Sequence, residues 1–175
     1  MKDMDSLLAQ VLAFRPNRLV PPFDLQGHIP FVAWLVKELQ PATFVQLGTQ
    51  SGNLYFAACQ TVAENSLPTR CWAVGTWQAE ELAQRHSVQQ EAGASDYNRQ
   101  HFGAFSGLLR MGDAQALPRF APGSIDLLLI DGRYSPETVR NEYESWRDRL
   151  SDHAVVLLVG IEQADSGAAA LWQQL

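Results

Sequence analysis

The apolar positions along the chain change their period near residue 43. Before it, Met4, Leu7, Leu8, Val11 and Leu12 recur at helical spacing, which predicts a helix over 4–13. Residues 16–30 are rich in Pro, and Ile29-Pro30-Phe31 opens a second helix through Leu39, with Pro in the first turn where a missing N–H costs little. From Thr43 onward, short apolar runs alternate with longer amphipathic stretches. Strands are expected at 44–47, 71–74, 108–111, 125–130 and 154–159, and helices at 54–63, 78–91, 136–150 and 168–175. Residues 93–107 carry Gly, Ser and Asn and predict a loop that covers the ligand edge as a lid. The run Ile125-Asp126-Leu127-Leu128-Leu129-Ile130 suits a strand buried on both faces.

Five strands alternating with helices predict an α/β fold: a mostly parallel sheet with helices on both faces. Residues 1–27 read as an N-terminal helical and Pro-rich extension and residues 28–175 as the main domain. In such sheets a ligand sits outside the carboxyl ends of the strands. The positions to watch are therefore 48–52, 75–77, 112–114, 131–134 and 160–162.

Composition narrows the class. Nineteen acidic against 13 basic residues give a formal charge of −6, which argues against a nucleic-acid partner. There is no apolar run long enough to span a membrane and no signal-peptide pattern at Met1-Lys2-Asp3-Met4-Asp5, so a cytoplasmic protein is expected. Cys59 and Cys71 are the only cysteines and read as buried, reduced thiols. The four histidines are scattered with no metal-ligand spacing, so no metal is expected. Trp72, Trp146 and Trp172 read as packing residues. Glu137, Glu142 and Glu144 with Arg140, Arg147 and Arg149 read as a solvated helix face.

The first strand ends in Gly48-Thr49-Gln50-Ser51-Gly52. Gln50 stands where a dinucleotide fingerprint needs its middle glycine, and no Gly-Lys-Ser/Thr follows, so neither NAD or FAD nor a P-loop nucleotide fits. Two glycines four apart serve either a tight turn approached closely by a small molecule or a plain strand-to-helix turn.

These segments together are more specific. The stretch His28-Ile29-Pro30-Phe31, the run Val45 to Gly52, then Cys71-Trp72-Ala73-Val74-Gly75-Thr76-Trp77, Ile125 to Gly132 and Val155-Val156-Leu157-Leu158 resemble class I S-adenosylmethionine-dependent methyltransferases. The resemblance is greatest to the bacterial branch often joined to glycosyltransferase modules and covers residues 28–175. It implies a Rossmann-like methyltransferase fold. Gly48, Thr49, Gln50, Ser51 and Gly52 would pass under the methionine part of S-adenosylmethionine. Gly75, Thr76 and Trp77 would lie along the ribose, and Asp113 and Ala114 would read adenine. Asp131 would be the catalytic base at the rim where methyl group and acceptor meet. Arg133 and Tyr134 lie at that rim and are exposed candidates to meet an acceptor.

Departures from the family pattern fall on the ligand side. The family's acid at the end of the first strand is Gln46, its ribose-binding acid is Gly75, its second histidine is Tyr134, and its His-Asp pair after the fifth strand is Val159-Gly160. The last change removes a carboxylate from any metal site shared with Asp131, and a lone carboxylate cages a hard cation poorly. Two functions follow as expectations. One is methyl transfer from S-adenosylmethionine to a hydroxyl of a small molecule or sugar, with weak cofactor affinity. The other is a catalytically inactive methyltransferase-like binding or scaffold domain of a larger glycan-biosynthesis assembly. The family's last hairpin has no counterpart in this sequence. That leaves residues 154–159 as an apolar edge, expected to be covered by a homodimer partner or an adjoining domain.

Overall fold

The computed structural model describes residues 4–174 apart from 24, 77–86, 132 and 162–165. Two N-terminal helices, α1 (Met4–Ala13) and α2 (Ile29–Leu39), precede the sheet. Then follow β1 (Thr43–Leu47), α3 (Asn53–Glu64), β2 (Arg70–Val74), α4 (Ser87–His101) and β3 (Ser106–Leu109). The chain continues with α5 (Asp113–Ala116), β4 (Ile125–Asp131), α6 (Pro136–Trp146), β5 (Leu150–Val159) and α7 (Gly167–Trp172). The five strands form one all-parallel sheet in the order β3-β2-β1-β4-β5. This is the parallel sheet that the strand and helix alternation predicts and the Rossmann-like fold that the family resemblance implies. Strand order reverses between β1 and β4, so the crevice for a ligand opens at their carboxyl ends.

The alternation of strand side chains divides the core in two. Phe44, Cys71, Ala73, Leu127 and Leu129 face α2, α3 and α4. Val45, Leu47, Val74, Leu128 and Ile130 face α5, α6 and α7. Asp126, at the start of β4, anchors the opposite end of the sheet. It accepts hydrogen bonds from Thr43 N (3.0 Å) at the start of β1 and from Ser151 Oγ (2.8 Å) in β5. Cys59 and Cys71 are free thiols buried against each other's elements, as expected.

Four expectations need correction. Residues 93–101 are helical rather than a lid, because Ala94, Tyr97, Asn98 and Phe102 recur at helical spacing and pack inward. Buried Asn98 is spent locally: its Nδ2 donates to Ser106 O at 3.1 Å, and its Oδ1 accepts from the Ser106 hydroxyl. β3 begins at Ser106, two residues earlier than its apolar run, and Arg110 and Met111 lie past its end. Trp172 is 66% exposed rather than packed, and Glu142 is half-buried rather than solvated. The helix expected over 78–91 falls largely outside the described residues, which resume in α4 at Ser87.

β5 forms one edge of the sheet, paired with β4 alone among the described residues. No described helix is long and apolar enough to cross a membrane.

Candidate active site

The turn after β1 is held in a left-handed conformation at three places: Gly48 (φ 73°), Gln50 (φ 45°) and Gly52 (φ 76°). A side chain at Gly48 would press on Asp131 Cβ at 3.1 Å and the Tyr134 ring at 3.3 Å, so only glycine lets β1 and β4 end this close together. Gly48 N donates to Val74 O at 3.1 Å and the Thr49 hydroxyl donates to the same carbonyl at 3.3 Å, fixing the turn to the end of β2.

The segment before α2 packs across this turn. Arg18 donates to Ser51 O at 2.7 Å and lies over the Phe56 ring, 4.9 Å from its centroid. Asn53, at the first position of α3, donates to Val20 O (2.6 Å) and Pro22 O (3.3 Å) and accepts from Val20 N (3.0 Å). Gln60, two turns along α3, donates to Arg15 O (3.0 Å) and accepts from Asn17 N (2.8 Å). These polar groups stitch the extension to α3 as a strap.

Between strap and turn lies a narrow cleft with about 20 Å³ of free volume, room for about one water molecule, lined by Pro22 and Leu25 on one side and by Gln46, Gly48 to Ser51, Asn53 and Leu54 on the other. Gln46 is 1% exposed and its Oε1 has no hydrogen-bond partner. A buried, unpaired carbonyl costs about 1–3 kcal/mol, and here it lines a cleft. This amide oxygen is an acceptor waiting for a donor.

The structure brings most of the expected site residues to one edge. Thr49 and Ser51 are buried in the turn, and Gln50 is exposed above it. Gly75 follows β2 with open space around it: a Cβ would meet only Thr49 N, at 3.8 Å. Thr76 is exposed, and Trp77 lies outside the described residues. Asp113 begins α5, with Ala114 exposed beside it.

Asp113 differs from its expected role. Its carboxyl is hydrogen-bonded to Glu142 of α6. Burial, the nearby Asp113 charge, that hydrogen bond and the more distant Asp131 push Glu142 up to about 8. The pair thus shares a proton at neutral pH. Burial and the Asp131 and Glu142 charges also raise the Tyr134 hydroxyl above its ordinary value, so it stays a hydrogen-bond donor.

Asp131 stands at the end of β4 as expected, but it is not free to act as a base. It is 1% exposed, and both oxygens are taken by Arg133 and Gln50. The sequence pattern gives no sign of Asn53 and Arg18, and it places Glu142 on a solvated helix face. The signal for Glu142 was present, since it lies three residues after Val139 and four before Trp146, both fully buried.

Residues 45–158, nearly two thirds of the chain, match a family described as "Methyltransferase domain". An uncharacterized protein, y4gI of Sinorhizobium fredii, is 37% identical over 169 residues, which are 97% of this chain and 18% of y4gI. The chain therefore spans less than a fifth of that relative. Among solved structures, the O-methyltransferase TomG from Streptomyces achromogenes, in complex with SAM, superposes with a TM-score of 0.60 at 15% identity, covering 99% of this chain and 76% of TomG. SAH-bound PaMTH1 of Podospora anserina gives 0.61 at 15% identity, covering 91% of this chain and 64% of PaMTH1. Cofactor-bound Rv0187 from MTB gives 0.57 at 20% identity, covering 95% and 72%. At these identities the solved structures speak for the fold, whereas the family match covers β1 through most of β5. The chain belongs to the methyltransferase-domain family.

Proposed function

We propose that the domain binds S-adenosylmethionine at the carboxyl edge of β1, β2 and β4 and directs its methyl group to a hydroxyl of a small molecule or sugar. The observation that carries this reading is the unpaired Gln46 Oε1 in the cleft beside the Gly48 turn. An amino-acid ammonium is the donor such an oxygen lacks. TomG and PaMTH1, which share the fold, hold SAM and SAH, which supports the same ligand class here.

The fit is uneven along the ligand. The methionine end has Gln46 and the turn. The ribose end has Gly75, which offers no carboxylate, and Asp113 is engaged with Glu142. Losing one charged hydrogen bond costs about 1.5–3 kcal/mol, ten- to a hundredfold in affinity. Weak binding follows.

When bound, this cofactor supplies a methyl group on a sulfonium, open to in-line displacement by an oxygen. The chain's residues contribute mainly orientation. Gln46 fixes the amino-acid end. Tyr134, 44% exposed over the Gly48 turn, presents a hydroxyl that donates to an acceptor rather than taking its proton. Asp131 cannot take that proton while its oxygens are bonded, so the rate is expected to be low.

A second reading, a binding or scaffold domain without catalysis, is favoured by the same sealed Asp131 together with Gly75. y4gI carries the matching stretch as a minor part of a much longer chain, which supports an adjoining domain. Calorimetric titration with S-adenosylmethionine and S-adenosylhomocysteine separates the readings. Weak, saturable binding of both supports the first, and no heat with either supports the second.

A further inference from the structure

Four hydrogen bonds converge on the two Asp131 oxygens. Oδ1 accepts from Arg133 N (3.2 Å) and Arg133 Nε (2.9 Å). Oδ2 accepts from Arg133 Nη2 (2.7 Å) and Gln50 Nε2 (3.1 Å). An ionised carboxylate offers about four lone-pair sites, and all are used. The guanidinium grips both oxygens through two nitrogens, the arrangement in which Arg binds carboxylates most strongly. Both partners are shielded: Asp131 is 1% exposed and Arg133 15%.

The position after β5 makes this pairing possible. Gly160 has φ 86°, and a Cβ there would lie 2.7 Å from Arg133 Cγ. Any side chain at 160 would collide with the arginine stem. A second carboxylate beside Asp131 and the Arg133 grip are thus mutually exclusive. Two carboxylates around a divalent cation sum to no net charge, and so do one carboxylate and one guanidinium. Among the described residues no three His, Cys, Asp or Glu side chains are placed to hold a metal ion.

We infer that Arg133 is a built-in cation: its guanidinium fills the place of a divalent metal between the ends of β4 and β5, and this rim takes no metal. The inference does not depend on cofactor binding, because it is read from the metal response of the protein alone.

The test follows thermal unfolding with and without millimolar Mn²⁺. The unaltered chain is expected to show no Mn²⁺-dependent rise in Tm. Arg133→Ala strands a buried carboxylate and lowers Tm by roughly 6–20 °C. Arg133→Ala combined with Asp131→Asn removes that charge and recovers part of the loss. An Arg133→Ala protein that melts like the unaltered chain, or a Mn²⁺-dependent rise in the Tm of the unaltered chain, overturns the inference. Should Arg133→Ala fail to fold, titration of the unaltered chain with Mn²⁺ decides. Binding in the submillimolar range that disappears in Asp131→Asn overturns it, and no binding that depends on Asp131 upholds it.

Discussion

Asn53 and Val20 hold each other by a two-way hydrogen bond: Val20 N donates to Asn53 Oδ1 at 3.0 Å, and Asn53 Nδ2 donates to Val20 O at 2.6 Å. The pair joins the strap to the first turn of α3, immediately after the Gly48–Gly52 turn. An asparagine amide can satisfy an N–H and a C=O of an irregular segment together, as a neighbouring strand would. The strap walls the cleft because of this pairing.

Asn53→Ala is therefore expected to destabilise the domain by about 2–3 kcal/mol, since it leaves partly buried backbone groups of the strap unpaired. The urea midpoint measures this. Limited proteolysis should move to residues 15–23, with the sheet still protected.

Gln46→Leu separates stability from binding. Leucine removes the unpaired buried oxygen at similar volume, and stability is expected to rise by about 1–2 kcal/mol. Affinity for S-adenosylhomocysteine should fall at least tenfold if Gln46 reads the ligand's ammonium. Denaturant unfolding and calorimetry on one preparation check both halves.

The Asp113–Glu142 pair predicts a pH dependence. Glu142 titrates near 8 in the folded chain, against an ordinary value of 4.5, so the folded state holds a proton that the unfolded state releases. Its contribution to stability is fully present below about 4.5 and is lost as pH rises toward 8. Tyr134, Asp131 and Arg133 face the same cluster. Glu142→Gln stays uncharged throughout. The variant is expected to be more stable than the unaltered chain at pH 8 by about 1–3 kcal/mol, and the difference should shrink toward pH 5. Chemical denaturation at several pH values measures it.

The sheet was readable because each strand but one has a compact apolar run, although β5 begins at Leu150, before its run, with polar Ser151, Asp152 and His153, and the ligand edge because parallel strands place it. The exception is β3, whose Ser106 and Gly107 look like loop residues although Ser106 is buried in a hydrogen-bonded network with Tyr55 and Asn98. α4 was hidden by Gly93 and by polar side chains whose partners lie on other elements. The grip of Arg133 on Asp131 depends on the clearance left by Gly160, 27 residues away in sequence, and no local pattern encodes that. Gln46 could be recognised as a departure from the family acid, but that its oxygen is unpaired is a fact of packing.

The most direct measurement is the dissociation constant of S-adenosylhomocysteine, by calorimetry, for the unaltered chain and for Gly75→Asp. The nearest contact a Cβ at 75 would meet is Thr49 N at 3.8 Å, so the substitution fits. It supplies the carboxylate that the ribose end lacks. The expected result is weak binding by the unaltered chain, tightened about ten- to a hundredfold by Gly75→Asp. Low-micromolar binding by the unaltered chain, or no binding by either protein, would contradict it.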